Sequence, residues 1–186
     1  MTDGITVLGI CGSLRKGSYN RMVLEAARKL TPAGMTIKVF EGLRDIPPYD
    51  EDVKEAGYPP STQALREAIR GADALLIVSP EYNYSLPGVL KNAIDWASRP
   101  PEQPFKGKPM AIMGASPGAS GTARMQIALR QCFVYLDARI LNQPEITIGQ
   151  CTQKFSAGGV LSDEATAGFI TAQLKALSEW TQQLRR

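Results

Sequence analysis

The sequence predicts an α/β fold: a doubly wound, five-stranded parallel sheet in the order 2-1-3-4-5, forming one domain over residues 1–186. Three observations point there. Short, nearly continuous apolar runs recur at 5–11, 74–78 and 109–114, as in strands covered on both faces. Between them lie stretches whose apolar residues repeat every three or four positions, as in helices packed along one face. Each run gives way to a loop rich in Gly, Ser or Pro, and the strand–helix alternation repeats five times, which calls for parallel pairing with right-handed crossovers.

The first strand is 5–11 (ITVLGIC), and the Gly/Ser-rich loop 12–17 follows it. A helix comes next with Met22, Val23, Ala26, Ala27 and Leu30 on one face, stopped by Pro32 and Gly34. The second strand is 35–40. Residues 41–60 carry Pro47, Pro48, Gly57, Pro59 and Pro60 and read as irregular. A segment that long in a compact domain is usually functional. A helix over about 61–70 leads into the third strand, 74–78. The loop 79–87 ends at Pro87, which suits the first turn of a helix burying Val89, Leu90, Ala93, Ile94 and Ala97. Residues 99–104 break the pattern before the fourth strand, 109–114, and the loop 115–121. The next helix is expected to turn Met125, Ala128, Leu129, Cys132 and Leu136 inward. A fifth strand over about 138–148 is interrupted at Pro144, residues 149–159 form a loop, and a last helix from about Asp163 uses Ile170, Leu174, Leu177 and Leu184. Five strands favour the flavodoxin-like order over the longer dinucleotide-binding sheet.

Composition narrows the chemistry. At 186 residues the chain is long enough to bury a core without staples. Its 21 basic and 18 acidic residues are interspersed, with no like-charge block resembling a nucleic-acid arm, so nucleic acid is not an expected partner. No apolar run approaches the ~20 residues that span a bilayer. Met1-Thr2-Asp3-Gly4 runs straight into a strand without a basic or apolar leader, so a cytoplasmic location is expected. Cys11, Cys132 and Cys151 form neither a CxxC motif nor a disulfide framework, and Cys11 and Cys132 read as buried thiols. There is no histidine, which removes the commonest general base and transition-metal ligand. Ser-His-Asp and Cys-His hydrolases are excluded, no metal site is expected, and the reactive group is expected to be a cofactor.

In a sheet of this order, ligands bind beyond the carboxyl ends of the strands where the winding reverses, between the first and third. The loops after strands one, three and four would be neighbours there. The first, Gly12-Ser13-Leu14-Arg15-Lys16-Gly17-Ser18-Tyr19-Asn20, joins a buried strand to a helix N-terminus, whose free N–H groups and positive dipole end favour a phosphate. The plain alternative is a helix cap at Ser18 with a solvated loop. Gly12 and Gly17 have the spacing of a P-loop, but Ser18 stands where its lysine belongs. The GxGxxG fingerprint is absent, since Gly9 and Gly12 are too widely spaced. The second loop, Ser79-Pro80-Glu81-Tyr82-Asn83-Tyr84-Ser85-Leu86-Pro87, offers a flat surface and hydrogen bonds to a planar ring, and equally fits an amphipathic turn over the sheet end. The third, residues 115–122, is small and glycine-rich. It suits close approach of main-chain amides to a ligand, and by itself reads first as a flexible linker.

Together these segments resemble the NAD(P)H-dependent FMN reductase family, in particular its chromate- and quinone-reductase branch. GSLRKGSYN at 12–20, SPEYNYSLPGVLKNAIDW at 79–96 and SPGASG at 116–121 carry the likeness, with LRDIPPYDED at 43–52 in support. The resemblance implies an FMN phosphate held by Ser13, Arg15, Ser18 and Asn20, within a binding loop that also includes Leu14, Lys16, Gly17 and Tyr19. It implies that Pro80, Glu81, Tyr82 and Asn83 lie along the isoalloxazine with Tyr84 beside it, and that Ser116 and Gly118 approach its far edge. No side chain is then catalytic; Asn83 and Tyr84 tune the ring. NAD(P)H is the implied hydride donor, and the electrons pass to a small-molecule acceptor: quinones, free flavins, azo dyes or oxyanions such as chromate. A single open face visited by donor and acceptor in turn predicts ping-pong kinetics. A homodimer or homotetramer is also implied, its partner subunit closing the pocket, with residues 43–52 a candidate contributor. The competing reading is a flavodoxin-type electron carrier; short-chain flavodoxins are strongly acidic and use a Thr-rich phosphate loop, unlike this chain.

Overall fold

The computed structural model describes residues 4–185. In chain order its elements are β1 (Ile5–Cys11), α1 (Tyr19–Lys29), β2 (Met35–Phe40), α2 (Glu51–Glu55), α3 (Pro60–Gly71), β3 (Ala74–Val78), α4 (Gly88–Ala97), β4 (Pro109–Ala115), α5 (Ala123–Val134), β5 (Arg139–Ile140), β6 (Ile146–Ile148) and α6 (Glu164–Leu184). The sheet order is β2-β1-β3-β4-β5 with every pair parallel, as the alternation predicts. Cys11 lies opposite Val78, and Val78 opposite Met113, so β1, β3 and β4 reach one edge nearly level.

The continuous apolar runs have a direct cause: every residue of β3 and β4 is buried, on one face or the other. Ala74, Leu76 and Val78 pack with Val23, Leu24 and Ala27 of α1 and with Ile170, Leu174 and Leu177 of α6. Leu75 and Ile77 point the opposite way, toward Leu65 and Ile69 of α3, Leu90 and Trp96 of α4, and Met125, Leu129 and Phe133 of α5. Each large side chain removed from water in this way contributes about 1.5–3 kcal/mol, so neither face can be polar without a large cost.

Four expectations need correction. The fifth strand is two short ones, β5 and β6, which pair separately with β4. Pro144 lies between them and has no N–H to give a ladder; its carbonyl instead accepts from Gln173 Nε2 at 2.6 Å. The 41–60 segment is not structureless. It holds a 3-10 turn at Gly42–Asp45 and the short helix α2, capped by the Asp50 side chain accepting from Asp52 N–H at 2.9 Å. This segment is strapped to α4: the Pro47 carbonyl accepts from Asn92 Nδ2 and Trp96 Nε1, both at 2.8 Å, and Tyr49 N–H donates to Asn92 Oδ1 at 2.7 Å. On α5, Phe133 rather than Cys132 fills the core, and Ala128 and Cys132 are only half-buried. Leu184, at the last turn of α6, is exposed.

Candidate functional site

The level ends of β1, β3 and β4 bring their three loops around one cleft of about 180 Å3. Ser13, Arg15, Ser18, Tyr19 and Asn20 line it from the first loop, Pro80 and Tyr82 from the second, Ala115 and Pro117 from the third. Its floor is packed backbone. Gly12 N–H donates to the Val78 carbonyl at 2.8 Å, and a β-carbon on Gly12 would fall 2.4 Å from Ser79 Oγ. A β-carbon on Gly114 would fall 2.1 Å from Thr122 Oγ1 and 2.6 Å from the Ser79 carbonyl. Only glycine permits this approach of neighbouring strand ends.

The first loop delivers the N-terminus of α1 to the cleft. Ser18 stands at the N-cap position in extended conformation and is buried, yet its side chain makes no capping bond, and the first turn of α1 carries no acidic residue. While α3 and α4 start at prolines without a side-chain cap, other helices are closed by carboxylates of the chain, Asp50 on α2 and Asp163 on α6 among them. Glu81 Oε2 does the same for α5, accepting from the N–H groups of Arg124 at 3.1 Å and Met125 at 3.0 Å. The α1 terminus instead combines open amides, the hydroxyls of Ser13 and Ser18 and the Arg15 guanidinium, a donor set suited to a phosphate dianion.

Asn20, in the first turn of α1, is 3 % exposed and is engaged at both ends of its amide. Nδ2 donates to the Ala115 carbonyl at 3.0 Å, and Ala115 N–H donates to Oδ1 at 2.8 Å. Ala115 is the last residue of β4, so Asn20 pairs with it as another strand would, and ties the first loop to the third. Its main role here is to hold backbone.

The second loop is a tight hairpin turn. Tyr82 and Ser85 exchange two backbone hydrogen bonds of 3.0 Å around Asn83 (φ 49°) and Tyr84 (φ 65°). Two successive positive φ values make a type I′ turn, where Asn is at home and Gly is usual in second place. Tyrosine there costs about 1–2 kcal/mol. Strain of this kind collects at functional sites. Tyr84 is 69 % exposed, and its ring lies 4.0 Å from the Arg124 guanidinium, a cation–π contact that holds it outward.

The sequence-predicted residues therefore fall into groups. Ser13, Arg15, Ser18, Tyr19, Asn20, Pro80 and Tyr82 meet at the cleft. Leu14 and Lys16 line an adjoining cleft instead, and Gly17 is exposed, its carbonyl accepting from Arg15. The Glu81 carboxylate turns away to α5, and Asn83 and Tyr84 form the exposed tip. Ser116 Oγ accepts from Gly118 N–H at 3.2 Å, and the Gly118 carbonyl accepts from Gly121 and Gln150 N–H, so this loop is internally braced. Of the third loop, Ala115 and Pro117 line the cleft, and the expected Ser116 and Gly118 do not. Cys11 is buried behind the first loop, and burial pushes its thiol up from the ordinary value despite a contact with the Ser13 carbonyl. Burial raises Cys151 likewise. Among the described residues no three His, Cys, Asp or Glu gather as metal ligands.

The chain is similar to known proteins end to end. An NAD(P)H-dependent FMN reductase of Pseudomonas aeruginosa is 55 % identical over 185 residues, with 100 % of each chain covered. A quinone reductase of Escherichia coli K12 is 46 % identical over 187 residues, again with 100 % of each chain covered. Among solved structures, the flavoenzyme NAD(P)H:acceptor oxidoreductase FerB of Paracoccus denitrificans superposes with a TM-score of 0.88 at 36 % identity, covering 96 % of this chain and 98 % of its own. The model of the family described as NADPH-dependent FMN reductase matches residues 5–153, a span that takes in the sheet from β1 to β6 and all three loops of the cleft. By that match, and by relatives this similar end to end, the chain belongs to the NADPH-dependent FMN reductase family.

Proposed function

We propose that the three-loop cleft holds FMN and that the protein is an NAD(P)H oxidoreductase acting on quinones, flavins and oxyanions such as chromate. The observation that carries this is the union, in one cleft, of the uncapped N-terminus of α1 with Ser13, Ser18 and Arg15 and of the aromatic Tyr82 from the second loop, in a chain without histidine. When bound, the flavin would supply the redox chemistry, taking a hydride from NAD(P)H and returning electrons to the acceptor. The residues supply everything else. Ser13, Arg15, Ser18 and the amides opening α1 hold the phosphate, and Leu14, Lys16, Gly17 and Tyr19 shape that loop. Asn20 and Glu81 fix the backbone around it. Pro80, Tyr82, Asn83 and Tyr84 flank the ring, with Ser116 and Gly118 opposite. The activities for which the relatives are named support both the donor and a quinone acceptor.

A single open ring face serves donor and acceptor in turn, a ping-pong order. The exposed side chains of Ile127 (61 %), Val134 (77 %) and Tyr135 (94 %) at α5 support assembly into a dimer or tetramer. The three thiols form no disulfide, which fits a reducing compartment such as the cytoplasm. No helix among the described residues is long and apolar enough to cross a membrane. Purified protein should be yellow and release FMN on heating, and double-reciprocal plots of NAD(P)H oxidation at several quinone concentrations should be parallel. A colourless protein that takes up no added FMN would overturn the reading; intersecting lines would overturn only the ping-pong order.

A further inference from the structure

The third loop of the cleft is held from two sides. Toward α1, the Asn20 amide holds Ala115. On the other side the loop prolongs the pairing of β4 with β6, which sets Met113 opposite Ile146, Gly114 opposite Thr147 and Ala115 opposite Ile148. Ser116 N–H donates to the Ile148 carbonyl at 2.9 Å, and the Ser116 carbonyl accepts from Cys151 N–H at 3.2 Å. In a regular parallel ladder that second bond would come from Gln150, two residues past Ile148. One extra residue has entered, and Gln150 takes it up in the left-handed region at φ 49°, ψ 37°. Its N–H is redirected to the Gly118 carbonyl at 3.1 Å.

This is a bulge in a parallel pair, a rare feature that gathers beside functional sites, where it re-aims a side chain. The fit is close. A β-carbon on Gly149 would fall 2.2 Å from the Ala119 carbonyl oxygen and 3.1 Å from that of Gly118, both of them main-chain atoms. Cys151 is fully buried, whereas Gln150 is exposed. None of residues 149–151 lines the cleft; they bear on it through the main chain of residues 116–119. Between the two held residues, Ser116 and Gly118, stands Pro117, which does line the cleft.

Building on the reading that the cleft holds a flavin, we infer that Gly149 and Gln150 are positioning residues for the isoalloxazine. From outside the cleft they hold the third loop in place and so decide where Pro117 stands against the ring. The phosphate end, held by the first loop, is independent of them.

Riboflavin carries the ring without the phosphate, so fluorescence titrations of FMN, riboflavin and inorganic phosphate separate the two ends. A protein whose competent conformation is less populated binds more weakly in proportion, so Gly149→Ala should weaken FMN and riboflavin alike, about ten-fold or more, and shift the visible spectrum of the bound flavin. Its affinity for inorganic phosphate should stay that of the parent. Gln150→Val is the milder variant, because the side chain is exposed but a β-branched residue resists a positive φ; it should weaken riboflavin roughly three-fold or more. Gln150→Gly, free to adopt that φ, should bind riboflavin at least as tightly as the parent. Gly158→Ala, where a β-carbon meets nothing nearer than 3.9 Å, is the control for a change in the same connection. In the parent protein, riboflavin should also slow hydrogen exchange at the Gln150 and Cys151 N–H groups by about three-fold or more, and inorganic phosphate should not. Unchanged riboflavin affinity in both Gly149→Ala and Gln150→Val, or exchange at 150 and 151 indifferent to riboflavin, overturns the inference. A loss confined to FMN and phosphate overturns it too, since the bulge would then serve the phosphate end. A parent protein that binds neither flavin overturns the cofactor reading, and this inference with it.

Discussion

Replacing Asn20 by alanine separates a clamp from a ligand contact. The substitution removes both hydrogen bonds to Ala115 and leaves that residue's N–H and carbonyl in a buried place without partners. An unsatisfied buried group costs about 1–3 kcal/mol, so with some rescue by water the apo-protein should lose roughly 2–4 kcal/mol. For a chain of this size that corresponds to a melting point roughly 5–15 °C lower. Urea unfolding of the apo-protein measures the loss, and quenching of FMN fluorescence measures affinity on the same sample. Asn20→Asp should be worse: it keeps an acceptor for the Ala115 N–H, but loses the donor to the carbonyl and places a carboxylate beside the phosphate position. The reasoning is refuted if Asn20→Ala leaves apo stability within about 0.5 kcal/mol of the parent while FMN affinity falls ten-fold or more. Asn20 would then be a ligand first and a clamp second.

Three further outcomes are expected. Glu81→Ala removes the carboxylate that caps α5 and should destabilise the apo-protein by about 1 kcal/mol in urea unfolding, within the span of helix caps; no change would mean that the α5 amides find water equally well. Tyr84→Gly puts the usual residue in the second position of a type I′ turn, so relief of strain should offset the lost contact with Arg124 and keep stability within about 1 kcal/mol, while quinone turnover falls; a large loss of stability would show that Tyr84 belongs to the fold. For Asp73, burial alone would raise the carboxyl, but the Thr6 N–H at 2.8 Å and the Arg185 guanidinium at 2.5 Å hold it below the ordinary range. A carboxyl lowered in the folded state stabilises fully above its unfolded value of about 3.9, and that contribution is lost as pH falls through the folded value. Asp73→Asn should therefore narrow the difference in stability between pH 7 and pH 3, as followed by thermal melts; an unchanged difference would contradict the assignment.

The parts of this molecule that a linear reading reaches are those set by local pattern and by topology. The runs at 5–11, 74–78 and 109–115 declare buried strands because both faces are covered, and the order of the sheet then places three loops together without any knowledge of contacts. Roles that depend on distant partners are not reached. Asn20 and Ala115 are 95 positions apart, so an amide near a phosphate loop reads as a ligand. Glu81 meets amides 43 and 44 positions on, and reads as a ring contact because it follows a strand. The helix α2 has no buried residue and hence no periodicity, although Asp50 followed by Glu51 and Asp52 is a legible helix start among the prolines. The division of the last strand follows from Pro144, and on and just after α5 Met125, Leu129 and Leu136 are buried as the spacing predicts, with Phe133 rather than Cys132 completing that face.

The packing of Gly12, Ser79 and Gly114 has an evolutionary consequence. With less than 3 Å left for any added carbon, the main chain under the cleft is a fixed casting that tolerates almost no variation. The Tyr82–Ser85 turn beyond it is closed by two hydrogen bonds of its own, and its tip residues Asn83 and Tyr84 are exposed. A chain built this way can accept changes at its exposed tip while the backbone beneath the cleft keeps its shape.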